Sequence, residues 1–281
     1  MLISNFKQLI EHRELLFNLI SRELKVKYKR SVFGFLWSFA NPLVLVAVYS
    51  IIAGKVMGMD NALLSYPGYH GKTSFAVFLI SGLLAWNYFS NSLVMSVGSL
   101  VDSGGLVKKI YFPREIIPFA SVLANLVTFG IELSVLFVFL TIFGFYFYPM
   151  IPVLILIIII ESFFILGMSL LASYSNVFFR DTKHLLNIML MIWFWACPII
   201  YPFIKVEQLS TAATHYNLSW VPFVYKLNPM ASIILIYQRV LYFVEIPSLK
   251  LLAYTGIFSA VFFLISYAFF KKQEEKIAGE I

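Results

Sequence analysis

The chain alternates long apolar blocks with short charged segments. Stretches free of Asp, Glu, Lys and Arg run from Ser31 to Gly54 and from Thr73 to Val101. A third runs from Ile116 to Ile160, interrupted only by Glu132. A helix needs about 20 apolar residues to cross the roughly 30 Å hydrocarbon core of a bilayer, so the third block is too long for one crossing. Gly144-Phe-Tyr-Phe-Tyr-Pro149-Met-Ile-Pro152 divides it with a tight turn. The pattern predicts an all-α integral membrane protein with six transmembrane helices in a single domain over residues 1–281. They fall near 32–54, 74–100, 116–143, 152–178, 185–204 and 251–270.

Two segments outside these blocks carry their own pattern. Ile3, Phe6, Ile10, Phe17, Ile20 and Leu24 form a helical stripe with Lys and Arg on the other faces. Residues 1–30 are therefore expected to form an amphipathic helix lying flat in the cytoplasmic interface. A helix docked on protein is the alternative. Charges run throughout this stretch without an apolar core or small-residue cleavage site, so no signal peptide is expected there. Residues 201–250 are neither polar nor apolar enough to span. Within them, Leu227–Gln238 offers 12 uncharged residues with Asn228-Pro229 at its start and Arg239 after it, a length suited to a re-entrant or interfacial helix on the outer side.

Composition agrees. Of 281 residues, 60% are hydrophobic and only 12% charged, half the charged share of a soluble domain, which is about 25%. Mean hydropathy is +0.86. The net charge of +7 points to orientation rather than to a nucleic-acid partner. Fifteen of the 21 Lys and Arg residues lie at the termini and in the 101–115 and 180–184 loops, against six on the opposite side. The positive-inside rule then puts both termini in the cytoplasm of a multi-pass membrane protein. Cys197 is the single cysteine, which excludes an internal disulfide and any cysteine-rich metal site.

No catalytic signature stands out. Gly68-Tyr-His-Gly71-Lys72-Thr73 lacks the glycine that a phosphate-binding loop needs five positions before its GK pair, where Tyr66 stands. The four histidines are scattered over both sides, and no metal site is expected. Two acids, Glu132 and Glu161, sit inside spans at comparable depth, roughly 14–18 Å from the Pro149 turn at 1.5 Å per residue. An intramembrane carboxylate faces the bundle interior by default; a structural link between helices and a proton relay are the two readings.

Arg22-Glu-Leu-Lys25-Val-Lys-Tyr28-Lys-Arg30, Gly34-Phe-Leu-Trp37 and Asn41-Pro42 resemble the amino-terminal signature of permease subunits of type-2 ABC exporters for polysaccharides. Lys108-Lys-Ile-Tyr-Phe-Pro113-Arg114-Glu115, Asn176-Val-Phe-Phe-Arg180-Asp181 and Leu227-Asn228-Pro229-Met230 fit in the same order. The resemblance implies a homodimer with two copies of a separate ABC ATPase, in a bacterial inner membrane, exporting an undecaprenyl-linked glycan of the O-antigen or wall teichoic acid kind. A drug or small-lipid exporter of the same fold is the alternative; a channel or intramembrane enzyme is the remaining one. No cofactor is then held by this chain, because ATP and magnesium bind the ATPase.

On that reading the loop 100–115 couples to the ATPase through Lys108, Lys109, Tyr111, Phe112, Pro113, Arg114 and Glu115. Gly104-Gly105 is expected to be a flexible entry, Pro113 to begin or bound a short helix, and Tyr111-Phe112 to be an exposed pair. Arg22, Lys25 and Arg30 are the candidates for a pyrophosphate headgroup. Tyr49, Trp86, Tyr88, Phe89, Trp193, Trp195 and Tyr201 are the candidates for lining a glycan path. For any single aromatic, an interface belt or helix packing is the competing explanation.

Overall fold

A computed structural model describes residues 11–27, 74–142, 146–212 and 220–280, with isolated positions between them. All regular elements among the described residues are helical: α1 (Arg13–Lys27), α2 (Phe75–Asp102), α3 (Ile116–Ile142), α4 (Ile151–Phe178), α5 (Thr182–Trp195), α6 (Phe203–Ala212), α7 (Val221–Leu227), α8 (Pro229–Gln238) and α9 (Leu249–Glu280). Among the described residues, four stretches are long and apolar enough to cross a membrane: Phe75–Asp102, Ile116–Ile142, Tyr148–Phe178 and Leu249–Ile277. The block expected to cross first, 32–54, lies outside the described residues except at isolated positions.

Helix α2 is the centre. Most of its side chains are buried, and it packs against α3, α4, α5 and α8. A helix that is apolar all round belongs inside, surrounded by others. Small residues set the closest approaches, as in membrane bundles generally. A Cβ on Gly82 would meet the Gln238 side chain at 3.0 Å and Ile234 at 3.1 Å. One on Gly167 would meet Phe262 at 2.8 Å and the Phe263 backbone at 3.2 Å. These two glycines seat α8 on α2 and α9 on α4.

Three sequence expectations differ from the structure. The block 185–204 is not one helix. Helix α5 stops at Trp195, a tight turn with Ile199 N–H donating to the Cys197 carbonyl (2.8 Å) follows, and α6 starts at Phe203. Pro198 and Pro202 explain the break, since proline supplies no N–H and clashes with the preceding turn. The 14 residues of α5 reach only about 21 Å.

The amphipathic helix α1 does not lie free. Leu15, Leu16, Leu19 and Ile20 pack into a cluster with Leu100, Phe112, Ile116 and Ala120, so α1 docks on protein while Phe17 faces outward, 65% exposed. The helix climbs beside α3: Lys27 Nζ donates to Asn125 Oδ1 (3.3 Å), nine residues, or roughly 14 Å, into α3. The last helix, finally, runs ten residues past its apolar block to Glu280.

Helix α8 is the short apolar helix of the 201–250 segment. Every residue from Met230 to Gln238 is buried, and at ten residues it is too short to cross. Asn228-Pro229 starts it in the way such a pair should, with asparagine as the cap and proline at the first helical position. Asn228 Oδ1 accepts from the N–H groups of Met230 (3.1 Å) and Ala231 (3.3 Å) and from Trp193 Nε1 (2.9 Å). Its amide donates to the Ala196 carbonyl (3.3 Å). One side chain thereby ties the end of α5 to the start of α8.

Candidate functional site

The loop between α2 and α3 is short and held from several sides. Gly104–Val107 forms a single helical turn, so the glycine pair begins a helix instead of acting as an open hinge. Pro113 bounds the start of α3: Arg114 and Glu115 form a turn in which the Ile116 N–H donates to the Pro113 carbonyl (3.2 Å), and that turn runs directly into the helix. The expected Tyr111-Phe112 pair is split. Tyr111 projects, 97% exposed, whereas Phe112 is 5% exposed within the cluster of Leu100, Ile116, Phe119 and Tyr267. One aromatic is thus presented and the next anchors the loop. Lys108, Lys109 and Ile110 are exposed beside Tyr111.

Glu115 closes the loop. Its carboxylate is fully buried and pairs with Lys271 Nζ at 2.8 Å. The Tyr267 hydroxyl donates to the same Oε1 at 3.1 Å. Lys271 also meets Glu274 at 2.9 Å. Glu274 in turn accepts from the Arg114 N–H at 2.9 Å, and its backbone carbonyl takes the Arg114 guanidinium. Burial pushes the Glu115 carboxyl above the usual carboxylate range, against the pull of Lys271. The network locks the start of α3 to the charged end of α9, more than 150 residues away in sequence. Sequence reasoning missed Tyr267, Lys271 and Glu274. The signal available was a Lys/Glu pair at i,i+3 directly after an apolar block.

The two intramembrane acids are unlike each other. Glu161 is fully buried on α4, and its Oε2 accepts from the Tyr237 hydroxyl of α8 at 2.6 Å. Glu132 is half-buried on α3, where the positive charge of Lys27 on α1 acts on it. No hydrogen bond joins the two acids. The Glu161–Tyr237 bond joins α4 to α8.

Residues 14–242 match the family described as ABC-2 type transporter. The chain belongs to that family. This ABC-2 permease is 28% identical over 275 residues to the O-antigen export system permease protein RfbA of Myxococcus xanthus, covering 98% of each chain. It is 32% identical over 232 residues to a Klebsiella pneumoniae protein of the same name, covering 80% of this chain and 79% of that one. A second Klebsiella pneumoniae protein so named is 33% identical over 228 residues, with 79% and 78% covered.

Of the permease's candidate aromatics, three are packing residues here. Trp86 packs against Phe89 and Phe194, and Phe89 stacks on Phe164 (5.6 Å). Tyr88 stacks on Phe129 (4.9 Å) and bonds the Ser162 hydroxyl (2.9 Å). All three are buried. Trp193 is half-buried on Asn228. The Tyr201 hydroxyl donates to the Trp195 carbonyl (2.7 Å) and meets that of Tyr225 (2.7 Å). Among the described candidates only Trp195 presents an exposed ring, continuous with exposed Ile188, Met191 and Ile192 on α5. Tyr49 and Arg30 lie outside the described residues. Arg22 reaches Glu23 (2.9 Å) and Ser103 (3.2 Å), beside the α2–α3 loop, and Lys25 is exposed.

Proposed function

We propose that the chain is the permease half of an ATP-driven exporter that moves an undecaprenyl-linked polysaccharide of the O-antigen type across a bacterial inner membrane. It works as a homodimer with two copies of an ABC ATPase, and both termini lie in the cytoplasm. The observation that carries this reading is the likeness over 98% of the chain to a protein named as an O-antigen export permease. The excess of Lys and Arg on the terminal side supports the orientation.

The residues divide the work. Tyr111, with Ile110, Lys108 and Lys109 around it, offers a projecting aromatic on a basic rim, which fits a groove on the ATPase. The Glu115–Lys271–Glu274 network makes the base of that projection rigid, so movement imposed on Tyr111 passes into α3 and α9. ATP and magnesium on the ATPase supply the energy. The exposed apolar face of α5, from Leu185 to Trp195, is the surface for the second permease and for the glycan path between the two. Arg22 and Lys25, with Arg30, receive the lipid pyrophosphate at the cytoplasmic end.

Depleting the protein in its own cells tests the reading. Lipid-linked glycan should build up on the cytoplasmic side while synthesis continues. Unchanged surface glycan after depletion refutes polysaccharide export. Single cysteines at Ile188 and Ile192 should cross-link into a homodimer in native membranes. Absence of such a band across the whole of α5 refutes that dimer face.

A further inference from the structure

Two cavities meet on the face of α9, near the end that carries the 201–250 segment, and they share Tyr254. The first, about 430 Å³, is lined by aromatic rings including Phe223 and Phe243 and by three cations, Lys226, Arg239 and Lys250. Its volume lies within the usual range for a small-molecule site, roughly 300–1,000 Å³. Its charge is unbalanced. Glu207, the only acid among the described lining residues, lies 3.6 Å from Lys226, which also sits 5.1 Å from the Phe203 ring. Among the described residues no carboxylate pairs with Arg239 or Lys250.

The backbone at this point is shaped for the purpose. Arg239–Phe243 is a π-helical turn continuing α8, a form that often marks functional positions. It ends at Val244 with φ 55°, a left-handed conformation that a β-branched residue seldom adopts. The turn directs both Arg239 and Phe243 to the cavity.

The second cavity, about 420 Å³, is wholly apolar-walled beyond the tyrosine: Ile257, Phe258, Val261, Phe262 and Ile265 follow on one face of α9. From Tyr254 to Ile265 the groove descends roughly 16 Å. That is the depth of one leaflet, half of a core about 30 Å thick. Charge at the head and one leaflet of apolar wall below it match a single class of occupant.

We propose that Arg239 and Lys250 hold the headgroup of a phosphate-bearing lipid, whose chain lies in the groove along α9. Its assignment to the outer leaflet rests on the orientation given above; binding itself does not depend on transport. Basic pockets between transmembrane helices recognise anionic headgroups by the same attraction, and here the arginine can grip phosphate oxygens in a fork.

The test uses the purified full chain in phosphatidylcholine nanodiscs containing phosphatidylglycerol, with retained lipid counted by mass spectrometry after transfer to detergent. The R239Q/K250Q variant should retain about tenfold less phosphatidylglycerol, the loss expected for charge-assisted bonds, and unchanged phosphatidylcholine. K183Q, at the opposite end, should retain both. Ile257→Trp, which fills the groove, should also lower phosphatidylglycerol. K250Q alone serves if the double variant is unstable, since that side chain is exposed. Glycerol 1-phosphate, a head without a tail, should not displace the lipid. Equal retention by wild type and the charge variants overturns the site, and displacement by glycerol 1-phosphate makes it a free-phosphate site instead. Because no ATPase is present, failure of the exporter reading leaves these outcomes unaffected.

Discussion

Glu115 and Glu161 are both fully buried carboxylates, yet their surroundings differ in kind. Glu115 stands where α3 begins and has a cation, Lys271, and a hydroxyl, Tyr267, within reach, the cation being shared with a second acid, Glu274. Glu161 lies 11 residues into α4 and has one partner, the Tyr237 hydroxyl. Position along the membrane normal explains the contrast. Near a helix end a long Lys271 side chain can reach the carboxylate and keep its own path to water. In the middle of a span, a charged partner would carry its full desolvation cost, and a neutral hydroxyl joins the helices instead. Each acid leaves one oxygen without a partner among the described residues, so both sites stay tied to a particular packing.

The sharpest way to break the comparison is Lys271→Met. Leaving buried Glu115 unpaired should cost about 3–5 kcal/mol, read as a lower thermal unfolding midpoint in detergent. The double variant E115Q/K271M should regain most of it, because the stranded charge is then gone. If the single variant unfolds like wild type, the pair does not hold the loop.

Phe112→Ala probes the apolar half of the same anchor. A fully packed phenylalanine lost to alanine costs roughly 3–5 kcal/mol, and the permease should become less stable before any effect on partners is considered. Tyr237→Phe addresses the other acid. Polar links within membranes average about 0.6 kcal/mol, so this change should lower the midpoint only slightly; a loss as large as that of Lys271→Met would erase the distinction between the two sites. Tyr111→Ala is expected to have the smallest effect on stability, within about 0.5 kcal/mol. It should nonetheless reduce ATPase co-purification sharply, and normal co-purification would exclude Tyr111 as the contact.

Much of the architecture is legible in the order of the amino acids. An apolar run has to become a helix in lipid, because every backbone N–H and C=O must be satisfied within the segment. That constraint is local, and the blocks 74–100, 116–143 and 152–178 coincide with α2, α3 and α4. Asn228-Pro229 announces a helix start for the same local reason. Pro198 and Pro202 are equally visible, but they sit inside an uncharged block whose length suits a crossing. Length and charge alone therefore predict a helix continuing to Ile204, and the two prolines stop it short.

The functional residues are legible only in part. Loop 100–115 stands out through its basic charge, but packing against the α2, α3 and α9 side chains takes Phe112 in and leaves Tyr111 out, and sequence order does not say which. Trp86, Tyr88 and Phe89 read as ring surfaces for sugar, yet most of α2 is buried and these three aromatics pack into the core. What the sequence alone determined is the solvent and the helices, since apolar content and span length act residue by residue. The tertiary structure alone decided that Glu115 would find Lys271, Glu161 would find Tyr237, and Arg239 and Lys250 would share one cavity. Those meetings depend on how helices distant in sequence cross, and close approaches at Gly82 and Gly167 set that crossing, not any pattern along the chain.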